Sequence, residues 1–181
     1  PNNDVMYVNV DRAKVFGVEL EFRQGLGMFT RHLSNFKFES NFAFAHSRID
    51  IPEEEMESRL FYDPDASSNR PLEGQPPYIV NLGLTYENHR SRTVATMMFN
   101  IFGKRLAFVG RYGIPDVYEK PRPMLDFTLS QTVWSNVGLK LSANNLLNEK
   151  ISQIIAYKDV DYVFREYSVG RSISIGASYK L

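Results

Sequence analysis

The sequence predicts an all-β protein: an antiparallel transmembrane β-barrel of about eight strands. Three observations carry that reading. Apolar and polar residues alternate along most of the chain, several of the alternating runs are long, and tight turns take turns with long loops between them. Successive side chains of an extended strand point to opposite faces, so a period of two marks a sheet with two unlike faces. Strands of soluble domains average about 5–6 residues, whereas a tilted membrane-crossing strand needs about 9–11.

The elements follow in order. A weak candidate lies near 4–8. Phe16, Val18, Leu20 and Phe22 then interleave with Gly17, Glu19, Glu21 and Arg23. Phe36, Phe38, Phe42 and Phe44 interleave with Lys37, Glu39, Asn41 and Ala43, and Val80, Leu82, Leu84 and Tyr86 with Asn81, Gly83, Thr85 and Glu87. Met97, Phe99 and Ile101 make a less regular run. Leu125, Phe127 and Leu129 oppose Asp126, Thr128 and Ser130, and Val137, Leu139, Leu141 and Ala143 oppose Gly138, Lys140, Ser142 and Asn144. The final RSISIGASYKL sets Ile173, Ile175, Ala177, Tyr179 and Leu181 on one face, where a frayed polar terminus is the usual finding. Stretches with a helical period are nearly absent.

Residues 47–77, 109–120 and 149–167 read as long loops, 88–92 and 134–136 as tight turns, and 24–34 as intermediate. Short turns on one side and long loops on the other mark an outer-membrane barrel. Phe22, Tyr86, Trp134 and Tyr179 fall at the short-turn end, and Phe44, Tyr78, Phe108 and Tyr167 at the long-loop end. Two aromatic girdles suit the two membrane interfaces, because Tyr and Trp have apolar bodies and polar tips. On this reading the apolar face of the last strand touches lipid. A soluble β-sandwich binding module also alternates, and eight strands can close into a small complete barrel with a structural or adhesive role. Both alternatives stand at this point.

Composition removes other classes. The 181 residues carry 21 Lys+Arg against 21 Asp+Glu, a net charge of zero that argues against a nucleic-acid partner. There is no Cys, hence no disulfide framework or thiolate metal site. His32, His46 and His89 lack ligand spacing, and no cofactor is expected. No apolar run approaches the roughly 20 residues of a membrane helix. No nucleophile elbow, zinc-protease motif or phosphate loop points to an enzyme. Glu19 and Glu21 share a strand face, which on a barrel places them in the lumen. Glu53, Glu54, Glu55, Glu57, Asp63 and Asp65 make the 47–77 loop acidic, without the spacing of a calcium-binding EF-hand loop. The beginning, PNNDVMYVNV, reads as the middle of a longer phrase.

Five phrases in order, AKVFGVELEF, RPLEGQPPYIVNLGLTYE, YEKPRPMLDFTLSQ, LKLSANNLLNEK and the terminal RSISIGASYKL, resemble the carboxy-terminal part of the TonB-dependent outer-membrane receptors over essentially the whole chain. The resemblance implies that residues 1–181 are the last eight or so strands of a 22-stranded barrel in the outer membrane of a Gram-negative bacterium. It further implies a plug inside that barrel and energised uptake of a scarce ligand: a ferric siderophore, cobalamin or an oligosaccharide. The implied partners are lipid and lipopolysaccharide, the rest of the barrel and its plug, the TonB complex, and the β-barrel assembly machinery. That machinery would read Ile173, Ile175, Ala177, Tyr179 and Leu181, although such barrels most often end in an aromatic residue. Ligand contacts are expected from the long loops and upper wall, at Arg59, Tyr62, Arg70, Arg111, Tyr112 and Tyr118. Arg offers a forked donor to anions and Tyr a flat face with a hydroxyl. Alternatively these Tyr belong to the girdle and these Arg meet lipopolysaccharide phosphates. Leu139→Arg is expected to cost about 2–4 kcal/mol if the residue sits at the membrane midplane.

Overall fold

The computed structural model describes residues 12–110, 114–134, 136–157 and 160–179. The weak candidate at 4–8, and Arg111, Tyr112 and Leu181, lie outside the described residues. Seven antiparallel strands form the main sheet: β1 (Ala13–Gly25), β2 (Phe36–Asp50), β4 (Tyr78–Asn88), β5 (Thr93–Phe102), β8 (Met124–Trp134), β9 (Val137–Asn144) and β12 (Ser172–Tyr179), in that spatial order. The two-residue β3 (Asn69–Arg70) pairs with the end of β2. Five of the seven long strands have 10 to 15 residues.

The registers turn the sequence alternation into one continuous apolar face. Leu20 lies opposite Phe42, Phe42 opposite Val80, and Val80 opposite Ile101. Further along, Leu129, Leu141 and Ile175 form a row across three strands. The face is left bare: Phe16 is 71% exposed and Ile175 80%. Each such side chain contributes about 1.5–3 kcal/mol once covered by an apolar medium. The opposite face is polar and laced by hydrogen bonds. Asn41, Asn81 and Asn100 align in one row. There Asn41 Nδ2 donates to Glu19 at 2.8 Å, Asn81 Nδ2 to Asn41 at 3.3 Å, and Asn100 Nδ2 to Asn81 at 2.5 Å. Glu19 thus belongs to a polar ladder.

The short turns lie at one end. After β4, Asn88 Oδ1 accepts from the backbone N–H of Arg90 and of Ser91, an Asx turn that brings the chain into β5. The intermediate 24–34 connection holds two single 3-10 turns, Leu26–Met28 and Arg31–Leu33. Trp134 pairs with Val137 and Val137 with Tyr179, so this aromatic pair marks the short-turn rim. Gly17 lies inside β1. A Cβ there would sit 2.3 Å from the Phe44 carbonyl oxygen, so the position admits only glycine without backbone movement.

The long connections hold more structure than the sequence pattern predicts. Residues 149–167 are largely a hairpin of β10 (Ile151–Tyr157) and β11 (Val160–Tyr167), which joins β6 (Arg105–Phe108) and β7 (Val117–Glu119) in a four-stranded sheet ordered β11-β10-β7-β6. These strands continue β12, β9, β8 and β5 beyond the main sheet, with only Gly103 and Lys104 between β5 and β6. The junction is pinned by the NNLLN segment after β9. Asn145 and Asn148 adopt φ of 55° and 53°, where Asn is tolerated. Asn145 N donates to Asp126 Oδ1 at 2.8 Å, its side chain donates to Gly170 O at 2.7 Å, and Arg171 Nε donates to Leu146 O at 2.8 Å.

The main sheet is open. Among the described residues β1 pairs with β2 alone and β12 with β9 alone, so the small closed barrel is not the observed arrangement. The sandwich fares no better, because the second sheet is a continuation of the first sheet's own strands rather than an independently ordered layer.

The registers also revise the expectation for Leu139. It stands two residues from the start of β9, beside the short-turn rim, whereas Leu141 lies mid-strand. In the membrane-assembled protein, denaturant unfolding should show Leu141→Arg costing about 2–4 kcal/mol and Leu139→Arg about 0–1 kcal/mol. Equal, negligible costs at both positions would deny lipid contact.

Candidate functional site

Residues 47–77 fold back on the sheet rather than looping free. Ile51 N donates to Ser68 O, Leu72 N to Ser47 Oγ, and Gly74 N to Leu106 O of β6. Between them runs helix α1 (Glu53–Tyr62). Pro52 precedes it with the fixed φ that suits helix entry, and Glu53, Glu54 and Glu55 crowd its first turn, where carboxylates favour the helix dipole. Glu55 and Arg59 are spaced i, i+4 and pair at 3.0 Å on the inner side of the helix.

Arg59 is the centre of the site. Its two terminal nitrogens donate to both oxygens of Asp116, at 2.7 and 3.2 Å, and its Nε to Glu55. Arg70, on β3, donates to the same Glu55 oxygen. Asp116 also accepts from Gly110 N at 2.8 Å, which closes the 109–120 connection on itself. The side chains of Glu55, Arg70 and Asp116 are about nine-tenths buried and that of Arg59 is 21% exposed. Burial alone would lower the Arg59 pKa. The hydrogen bonds and charges of Asp116 and then Glu55 outweigh it, and the guanidinium is held above its ordinary value. Tyr118 on β7 is pushed upward, first by burial and then by the Asp116 charge. The Lys104 ammonium stands 5.0 Å from its ring centre.

This network walls a cavity of about 630 Å3 between α1, the 63–71 segment and Gly110, Ile114, Pro115, Asp116 and Tyr118. Arg59, Tyr62, Arg70 and Tyr118, four of the six ligand-contact candidates, line it together. The remaining two, Arg111 and Tyr112, are not described. Sequence reasoning did not single out Glu55 and Asp116 as contact candidates. The i, i+4 spacing of Glu55 and Arg59 was available as a signal, but nothing local links Arg59 to a residue 57 positions away. Of the girdle residues, Phe22, Trp134 and Tyr179 are exposed on the apolar face, and Tyr86 lies against Phe36 with ring centres 5.1 Å apart.

A sheet of long antiparallel strands with one bare apolar face, one hydrogen-bonded polar face, tight turns at one end and elaborated loops at the other is the wall of a transmembrane β-barrel. The family model described as TonB dependent receptor-like, beta-barrel matches residues 1–146, and the chain belongs to that family. Such receptors are outer-membrane transporters and not enzymes. The chain is 25% identical over 194 aligned residues to the probable hemoglobin and hemoglobin-haptoglobin-binding protein 4 of Haemophilus influenzae, covering 94% of this chain and 18% of that protein. It is similar in fold to the ferric citrate transporter FecA in its unliganded crystal form, with a TM-score of 0.67 at 12% identity, over 92% of this chain and 24% of that one. The chain therefore spans less than a quarter of the length of either relative.

The Arg59 network joins two connections far apart in sequence, so its removal acts on their order. Arg59→Ala leaves two buried carboxylates short of a cation, a loss of about 2–4 kcal/mol of local stability after allowance for partial exposure. Limited proteolysis should then cut within 52–71 and 109–116 far faster, while the main sheet keeps its thermal stability. Unchanged cleavage would show that the network does not hold these segments.

Proposed function

We propose that this chain is the carboxy-terminal wall of an outer-membrane receptor that takes up a scarce ligand at the expense of inner-membrane energy. The carrying observation is the cavity at the long-loop end of a membrane-spanning sheet, walled by Arg59, Tyr62, Arg70 and Tyr118. Among the described residues the outer edges of β1 and β12 are unpaired, which supports further strands beside them, because lipid cannot satisfy free backbone groups. The short span relative to both relatives supports the same reading. The barrel remainder, a plug within it, the TonB complex acting through that plug, lipopolysaccharide and the assembly machinery are the proposed partners. Among ferric siderophores, cobalamin and oligosaccharides, the likeness to a haemoglobin-binding protein favours an iron-bearing ligand.

Growth of a receptor-deletion strain on single nutrient sources tests this. Haemoglobin, ferric siderophores, cobalamin and an oligosaccharide mixture would be supplied in turn under the matching limitation. One of them should support growth only when the intact receptor and TonB are both present. Receptor-independent growth on every source, or uptake that persists without TonB, would refute the reading.

A further inference from the structure

The charges of the cavity do not suit the forked-donor role that isolated arginines suggest. Arg59 spends three donors on Asp116 and Glu55, and Arg70 pairs with Glu55. These two cations and two carboxylates balance one another. Glu54 and Asp63 also line the cavity. Among the described residues the Glu54 carboxylate has no cation paired with it, and the Asp63 carboxylate accepts only from the backbone N–H of Asp65. The described wall is therefore net negative. An anionic group brought to the remaining N–H groups of Arg59 or Arg70 would stand beside the nearly buried Glu55 and Asp116 carboxylates, a like-charge approach in a part-buried site.

We infer that this cavity admits neutral or cationic groups of the ligand and repels anionic ones. This rests on the uptake reading for its biological meaning and on geometry for its sign. The matching chemistry is a ligand portion that presents hydrogen-bond donors or a positive charge to Glu54 and Asp63. Its flat or apolar surface would lie against Tyr62 and Tyr118. Hydroxyl-rich and cationic iron chelates fit this pattern, and chelates with free carboxylates do not.

The sign can be read without the ligand or energised transport, so its failure is separable from failure of the uptake proposal. This chain has no Cys. Ser58→Cys on α1 and, separately, Ala156→Cys on β10 place a thiol at opposite walls of the cavity. In the full receptor in outer membranes, each thiol is reacted with a trimethylammonium and with a sulfonate methanethiosulfonate reagent. Rates are normalised to a free thiol in solution, and the receptor without the introduced thiol supplies the background. The normalised cation-to-anion ratio should exceed one by about threefold or more at low salt and shrink at high salt. It should fall toward one in Glu54→Gln/Asp63→Asn. A ratio at or below one at both positions, or one that the double substitution leaves unchanged, overturns the inference.

Discussion

The hydrocarbon of a bilayer offers no hydrogen bonds, and every other feature of this chain follows from that constraint. Each backbone N–H and C=O within it must be met by a neighbouring strand, at a cost of several kcal/mol where one is not. Uninterrupted ladders are therefore required through the lipid, and they hold from β1 to β12 without a register shift until Thr132/Trp134 at the short-turn rim. Continuous ladders impose strict alternation, which separates the bare Phe, Leu and Ile face from the Asn41–Asn81–Asn100 face. Close strand approach then explains Gly17, where the facing carbonyl leaves no room for a side chain.

Beyond the lipid the constraint relaxes, and the backbone becomes irregular at once. Breaks at Gly103–Lys104 and at 145–150 separate the main sheet from its four-stranded continuation, and bulges follow at Leu106/Phe108 and Gln153/Ile154. Water and side chains satisfy what the ladder no longer does. The Asn145 turn fastens the junction, and the Arg59 network fastens α1 to the 109–116 segment. The wall thus carries a cavity set beside the buried side chains of Leu106, Val117 and Ile154 and fastened by a few charged contacts.

This division explains which parts were legible in the sequence. The seven long strands were readable because lipid on one side and polar groups on the other enforce a period of two. The β10–β11 hairpin is hidden in the sequence because Ile151, Ile154 and Ile155 do not alternate along β10, and the bulge opposite Gln153/Ile154, which leaves Phe164 without a register partner, breaks the period of two in β11. Helix α1 is hard to see in the sequence because five of its ten residues are charged and only Met56 and Leu60 mark a helical stripe. Arg59, Tyr62, Arg70 and Tyr118 were named from residue type alone, and their convergence was not legible. It depends on how two connections fold back over the sheet.

One face of this sheet meets lipid and the other does not. Spin labels placed singly at residues 139–144 and 173–178 of the membrane-assembled receptor test it most directly, through collision with oxygen and with a water-soluble nickel chelate. Accessibility should alternate with a period of two. Leu139, Leu141, Ile173, Ile175 and Ala177 should be oxygen-accessible, and Lys140, Ser142, Ser174 and Gly176 should favour the chelate. A flat profile, or one of opposite phase, would contradict it.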